Sequence, residues 1–349
     1  MLRVVSILLA FAFTAVACSS PDDNTSVEST TTSEAVTTTA QEDEPANDTT
    51  TTEAPTEVGD VAPLTGLPVA DDELSRPALA VKIDNHPNAR PQTALDQADI
   101  VFEGRAEGVT RYMAVFHSNA PDPLGPVRSS RTSDFDLLSG LDWPLYASSG
   151  GNDYVANALR SLPIYEVTAI SQRAYSRDSS RPAPHNLFTN AADLFALAPE
   201  DATAPTPWFQ YRPAGAEAEG QVVDGPVTIR YRGSPVVTHT WDPAAEGWSR
   251  TQDGRPHTSV AGDQLAPENV VIMVTDYVTS AADAASPELV SIGQGDLFVL
   301  TDGVLIEGTW SRPSPSDKPE LLDDEGEPIL LTPGRTWVLY PEAGQVSVP

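Results

Sequence analysis

The chain has 349 residues, 50 acidic against 20 basic, and a formal net charge of −30. A phosphate backbone needs neutralising cations, so this balance speaks against nucleic acid as a partner. The single cysteine, Cys18, excludes an intramolecular disulfide, a dithiol redox pair and a thiolate zinc site, so the fold must rest on its core.

In chain order, Arg3 supplies a positive start, and Val4 to Ala17 is apolar apart from Ser6 and Thr14. That run is shorter than the roughly 20 residues of a membrane span and fits the apolar core of an export signal. It ends Ala15-Val16-Ala17-Cys18, a pattern similar to the bacterial lipobox, in which the cysteine is acylated. The expectation is a signal peptide over 1–17 and lipidation at Cys18. That would anchor the protein in the membrane, on the extracytoplasmic face of the cell membrane. Residues 18–62 then carry the acylated cysteine and a Thr-, Glu-, Asp- and Pro-rich stretch with no base and no aromatic residue. Such a segment buries too little apolar area to offset its ordering entropy and is expected to be a disordered stalk, its ends roughly 35–40 Å apart.

Order is expected from Pro63. Apolar runs bounded by Pro, Asn and Gly read as strands at 78–83, 98–103 and 110–117. Helices are predicted at 152–162, capped by Asn152 or Asp153, and at 190–197. Alternating strands and helices predict an α/β layered N-terminal domain over 63–205. The stretch 201–225 is rich in Ala, Pro, Gly and Glu and reads as a boundary. Beyond it, apolar runs at 227–232, 236–241, 269–276, 297–301, 304–310 and 335–340 predict a mostly antiparallel, β-rich C-terminal domain over 222–345. Asp253-Gly254 and Asp302-Gly303 are hairpin signals, since both turn residues take positive φ. The class is α+β.

Signatures of common chemistry are missing: no Gly-x-Ser-x-Gly, phosphate loop, His-Glu-x-x-His or dinucleotide fingerprint. Ser149, His185 and an aspartate can be grouped as a triad on paper, but triads are defined by geometry. The informative feature is arginine in an acidic chain. Arg90, Arg105, Arg111, Arg128 and Arg131 fall close together. A helix starting near Ser129 or Ser130 would be flanked by Arg128 and Arg131, making an anion site. The alternative is local ion pairing with acids of the same stretch. Asp84 and Glu107 are candidate metal carboxylates, with Mg²⁺ the metal in view. Asp84-Asn85-His86-Pro87 reads more simply as a turn.

Several words in one order resemble the YerB-like lipoproteins, a family without an assigned activity. They are Pro63-Leu64-Thr65-Gly66, Val81-Lys82-Ile83-Asp84-Asn85, Ala89-Arg90-Pro91-Gln92, Ala98-Asp99-Ile100-Val101, Glu107-Gly108-Val109-Thr110-Arg111, Gly125-Pro126-Val127-Arg128 and Ala183-Pro184-His185-Asn186-Leu187. Asp302-Gly303, Gly308-Thr309-Trp310 and Gly334-Arg335-Thr336-Trp337 resemble that family's second domain. The resemblance implies a lipoprotein with a two-part body. Arg90 and His185, standing in these words, join Arg111, Arg128 and Arg131 as candidate ligand-binding residues. A remoter resemblance is to the LytR-CpsA-Psr proteins, which transfer anionic glycopolymers from polyprenyl-pyrophosphate carriers with arginines and Mg²⁺-binding aspartates. It rests on Ile83-Asp84, Arg111 before Met113-Ala114-Val115-Phe116, Pro126-Val127-Arg128, Tyr146-Ala147-Ser148-Ser149-Gly150-Gly151 and Leu162-Pro163-Ile164-Tyr165. Met113 and Ser129 stand where that family has acids. Together these readings lead to an envelope lipoprotein that binds an anionic ligand, a polyprenyl phosphate or wall glycopolymer, in an arginine-lined cleft. The alternatives are a LytR-CpsA-Psr-like phosphotransferase or hydrolase, and a non-catalytic protein-binding scaffold.

Overall fold

Strand Thr110–Phe116 is buried at every position, as is Leu79–Ile83. A strand apolar on both faces belongs inside a sheet covered on both sides. The computed structural model describes residues 61–69, 75–233 and 235–349 and shows such a sheet. The signal segment, Cys18 and all but the end of the stalk lie outside the described residues.

From one edge the strands run Glu320–Asp323, Val304–Arg312, Gly293–Thr301, Asn269–Met273, Thr336–Leu339, Ile100–Arg105, Thr110–Phe116, Leu79–Ile83, Leu145–Ala147 and Tyr165–Glu166. Gln221–Val222 pairs with Val304–Arg312. The strands predicted from both parts of the sequence therefore share one sheet. The joint is Thr336–Leu339, parallel to Ile100–Arg105 on one side and to Asn269–Met273 on the other. Elsewhere the C-terminal strands of this sheet pair antiparallel. Leu79–Ile83, Leu145–Ala147 and Tyr165–Glu166 run parallel.

Side chains alternate across the sheet, and each face has its own core. Leu79, Val81, Tyr112, Ala114, Val270, Trp337 and Leu339 meet Val227, Ile229, Val237 and Trp248. The last four come from a second sheet, ordered Arg255–Pro256, Gly247–Gln252, Val236–Asp242, Val227–Arg230 and Val346–Ser347. On the other face Ile100, Phe102, Met113, Val115 and Val338 meet Leu137, Leu138, Val155 and Leu159. Trp208 and Phe209, from the stretch read as a boundary, are buried in that second core.

The helices are shorter than predicted, at Phe135–Ser139, Asp153–Leu159 and Ala191–Phe195. Asn152 is the cap predicted for the second, and Asn190, where the third was expected to begin, is its cap. Asn152 accepts from the Val155 N–H (3.0 Å) and Asn190 from the Asp193 N–H (3.2 Å). The expected start near Ser129 is displaced. Ser130 N–H donates to Gly150 O (2.9 Å) and Ser149 N–H to Arg128 O (3.0 Å), so 128–130 is tied to a neighbouring chain segment. The turn begins after Arg131, and Asp134 takes the Arg131 N–H (2.8 Å). The free N–H group expected to face a ligand is met by the chain's own carboxylate.

Candidate functional site

Three parallel strands end side by side, and the residues just beyond their ends form a crevice: Asp84 after Ile83, Ser148-Ser149 after Ala147, and Val167 to Ile170 after Glu166. Carboxyl ends of parallel strands are where α/β sheets bind ligands. Thr110–Phe116 runs antiparallel to Leu79–Ile83, with Tyr112 opposite Ile83, so Arg111 enters at the same end. The segment after Pro126 is bonded to Leu79–Ile83 through Asp84 N–H to Pro126 O (3.0 Å) and Arg128 N–H to Lys82 O (2.8 Å), which brings Arg128 there too.

Two carboxylates organise these cations. Glu107 is gripped by Arg131 through Nε (2.5 Å) and Nη2 (3.1 Å), by Arg111 Nη2 (3.0 Å) and by the Ser286 hydroxyl (2.5 Å). Burial raises the Glu107 pKa, but the bonds from Arg131 and Ser286 and the charge of Arg111 outweigh it and hold it down to about 2. Asp84, buried, accepts from His86 N–H (3.0 Å) and His185 Nδ1 (2.7 Å), with Arg128 Nε at 3.4 Å. That last approach is close enough for ion pairing but not aligned as a hydrogen bond. Three guanidiniums thus share two carboxylates. The strain is visible on Arg111: burial, then repulsion from Arg131, lower its pKa to about 10 against the pull of Glu107. A neighbouring pair, Lys82 Nζ with Asp134 (2.5 Å), is balanced one to one and buried.

His185 stacks on His86, ring centroids 4.1 Å apart. Its Nδ1 is committed to Asp84, and the described residues give Nε2 no hydrogen-bond partner. The paper triad does not form: the Ser149 hydroxyl pairs with that of Ser129 (3.1 Å).

Two cavities line the crevice, of about 300 and 330 Å³, and share Ser149 and Ile170. Ser129, Ser130, Arg131 and Asn152 form one side of the first; Ser280, Ala282, Asp283 and Ser286 form the other. That other side belongs to a hairpin of the C-terminal part, Tyr277–Ser280 and Asp283–Leu289. It is fastened by Thr132 to Ser280 (2.8 Å) and by Leu289 N–H to the Ser133 hydroxyl (2.9 Å). Both parts of the chain therefore build the site.

The sequence expectations meet here unevenly. Arg111, Arg128, Arg131, Asp84, Glu107 and His185 gather in one region. Arg90 turns away: its Nε and Nη2 donate to Asn85 (3.0 and 2.8 Å). No group of three His, Cys, Asp or Glu side chains among the described residues could hold a metal. The oxygens of Asp84 and Glu107 already serve guanidinium, imidazole, hydroxyl and amide donors. Sequence reasoning passes over Lys82, Ser286 and Tyr146, whose hydroxyl donates to Asp134 (3.0 Å). A signal for Lys82 exists, a lysine inside the otherwise apolar Leu79-Ala80-Val81-Lys82-Ile83 run. Nothing local marks Ser286.

Family models described as the N-terminal and C-terminal domains of a protein of unknown function, DUF3048, match residues 64–204 and 227–338. The chain is 30% identical over 303 residues to the "Putative lipoprotein YerB" of Bacillus subtilis (strain 168), covering 82% of this chain and 88% of that protein. The chain belongs to the YerB-like DUF3048 family. The crystal structure of YerB protein from Bacillus subtilis superposes with a TM-score of 0.71 at 25% identity, over 83% of this chain and 99% of that one. The family's two domain models thus map onto strands of one continuous sheet. The comparisons lend nothing to the LytR-CpsA-Psr resemblance, and the fold explains one departure from it. Met113, at the position of a metal aspartate, is buried in the core among Phe102 and Leu137.

Proposed function

We propose that this family member is an envelope lipoprotein, anchored through Cys18, that binds an anionic envelope ligand at the ends of its parallel strands. The observation that carries the reading is the charge count: three guanidiniums on two carboxylates, beside an open crevice, in a chain of net charge −30. A phosphate would balance the surplus. It would be met by forked donors from Arg128 and Arg131, each about a quarter exposed, and by the hydroxyls of Ser129 and Ser149. Of the envelope anions, a polyprenyl phosphate fits best, because Ile170, 78% exposed, stands at both cavities and offers an apolar contact.

Calorimetric titration with a short-chain polyprenyl phosphate tests this. Arg128→Ala weakens binding by about 1.5–3 kcal/mol, the worth of a hydrogen bond to a charged group. Arg128→Lys recovers part of it, since an ammonium lacks the forked contact. Equal affinities for wild type and Arg128→Ala would sink the reading and leave a protein-binding scaffold in its place. Anchoring is read separately by detergent-phase partitioning: the wild type enters the detergent phase and Cys18→Ser does not.

A further inference from the structure

A third cavity, of about 510 Å³, shares no lining residue with the two at the crevice. It lies where the turn after Asp84 meets the strand end and hairpin at 252–258. Pro87, Pro91 and Pro256 line its sides, and Arg90, Arg255 and Asp253 stand with them; Gln252 and His257 are its buried members.

The buried members are held by the core beneath them. His257 Nε2 donates to Gln92 Oε1 (2.9 Å), and its Nδ1 accepts from Arg250 (2.5 Å). Burial and the Arg250 charge keep this imidazole neutral. Gln252 Oε1 accepts from Arg250 (3.0 Å) and from the Tyr112 hydroxyl (3.1 Å). These bonds engage both ring nitrogens and the amide oxygen, and the charge that can hold an anion comes from the arginines. Arg90 is braced by its two bonds to Asn85, and its Nη1 stands 3.9 Å from Asp253. Arg255 is exposed and has no ion-pair or hydrogen-bonding partner for its guanidinium among the described residues. Two cations face one acid. The proline rings form rigid apolar walls, and the volume is that of a small-molecule site.

We propose that this cavity binds a small organic anion, its apolar body against the prolines and its carboxylate or phosphate between Arg90 and Arg255. The proposal stands apart from the crevice reading. It is tested on the full chain carrying Arg128→Ala, which weakens the crevice, by NMR titration with phenyl phosphate, benzoate and neutral benzyl alcohol. At least one anion binds at least about tenfold more tightly than the alcohol, a difference of about 1.4 kcal/mol. Adding Arg255→Ala removes that preference, and being exposed, this change leaves the fold intact. Preference for phenyl phosphate assigns a phosphate ligand, and preference for benzoate a carboxylate. Binding of the alcohol as tight as that of the anions, no binding of either anion, or an unchanged affinity in Arg255→Ala overturns the proposal.

Discussion

Two arginine–carboxylate networks in this chain use the same chemistry to opposite ends. Between the sheets, Arg250 and Glu103 are both fully buried, and Arg250 Nη2 donates to both Glu103 oxygens (3.0 and 2.9 Å). The guanidinium lies over the Trp337 ring at 4.6 Å, and Thr110 donates to the same carboxylate (2.7 Å). One cation meets one anion in a closed space. At the crevice, three guanidiniums meet two carboxylates, and Arg128 and Arg131 keep contact with solvent. An orphaned Nε does not separate the two, because Arg250, Arg111 and Arg128 all have one. Stoichiometry and access do. A balanced, sealed pair specifies packing, while an unbalanced, open cluster has capacity left for something else.

The largest effect belongs to the sealed pair. Arg250→Met leaves Glu103 buried and uncompensated, which costs about 3–5 kcal/mol, whereas adding Glu103→Gln recovers much of the loss. Urea midpoints measure this, and a single-mutant loss below about 1 kcal/mol would erase the distinction. An intermediate effect comes from Glu107. Its folded pKa is held down to about 2 from an ordinary 4.5. The stability it contributes is therefore present above pH ~4.5 and fades as pH falls toward 2. Glu107→Gln lowers stability at neutral pH and flattens the acid limb of the stability profile, measured by denaturation from pH 6 to 2. The smallest effect sharpens the contrast most. Arg128→Ala, partly exposed and misaligned with Asp84, changes the unfolding free energy in urea by no more than about 1 kcal/mol, although it weakens ligand binding. A loss like that of Arg250→Met would place Arg128 in the structural class.

Legibility in the sequence depends on range. The apolar runs mark most strands, and Asn152 and Asn190 mark two helix starts because a cap acts within three residues. Asp302-Gly303 turns as read, with φ of 49° and 77°. Leu145–Ala147 escapes because three residues carry no period. The delayed helix start at Arg131 comes from a pairing with Ser149 and Gly150 that no local pattern announces. The arginines are visible as a cluster, yet their partners are not all neighbours: Ser286 reaches Glu107 from the far part of the chain, and Arg250 finds Glu103 likewise. Arg90 departs from its expected place for the same reason. Its company is decided by Asn85 and the 252–258 hairpin rather than by the arginines nearest in sequence.

The position of Thr336–Leu339 also sets a schedule. The strand that closes the middle of the sheet follows both of its partners in the chain, and it completes the edges of both Ile100–Arg105 and Asn269–Met273. Until it arrives, those two strands each lack a neighbour, and the hydrophobic layers on either side are cut through the centre. Contacts of such sequence separation form late and slowly. A nascent chain of this topology keeps its central gap until Thr336–Leu339 has been made. A version stopped short of Thr336 would present two bare edges to other chains, and would aggregate rather than persist as a smaller folded protein.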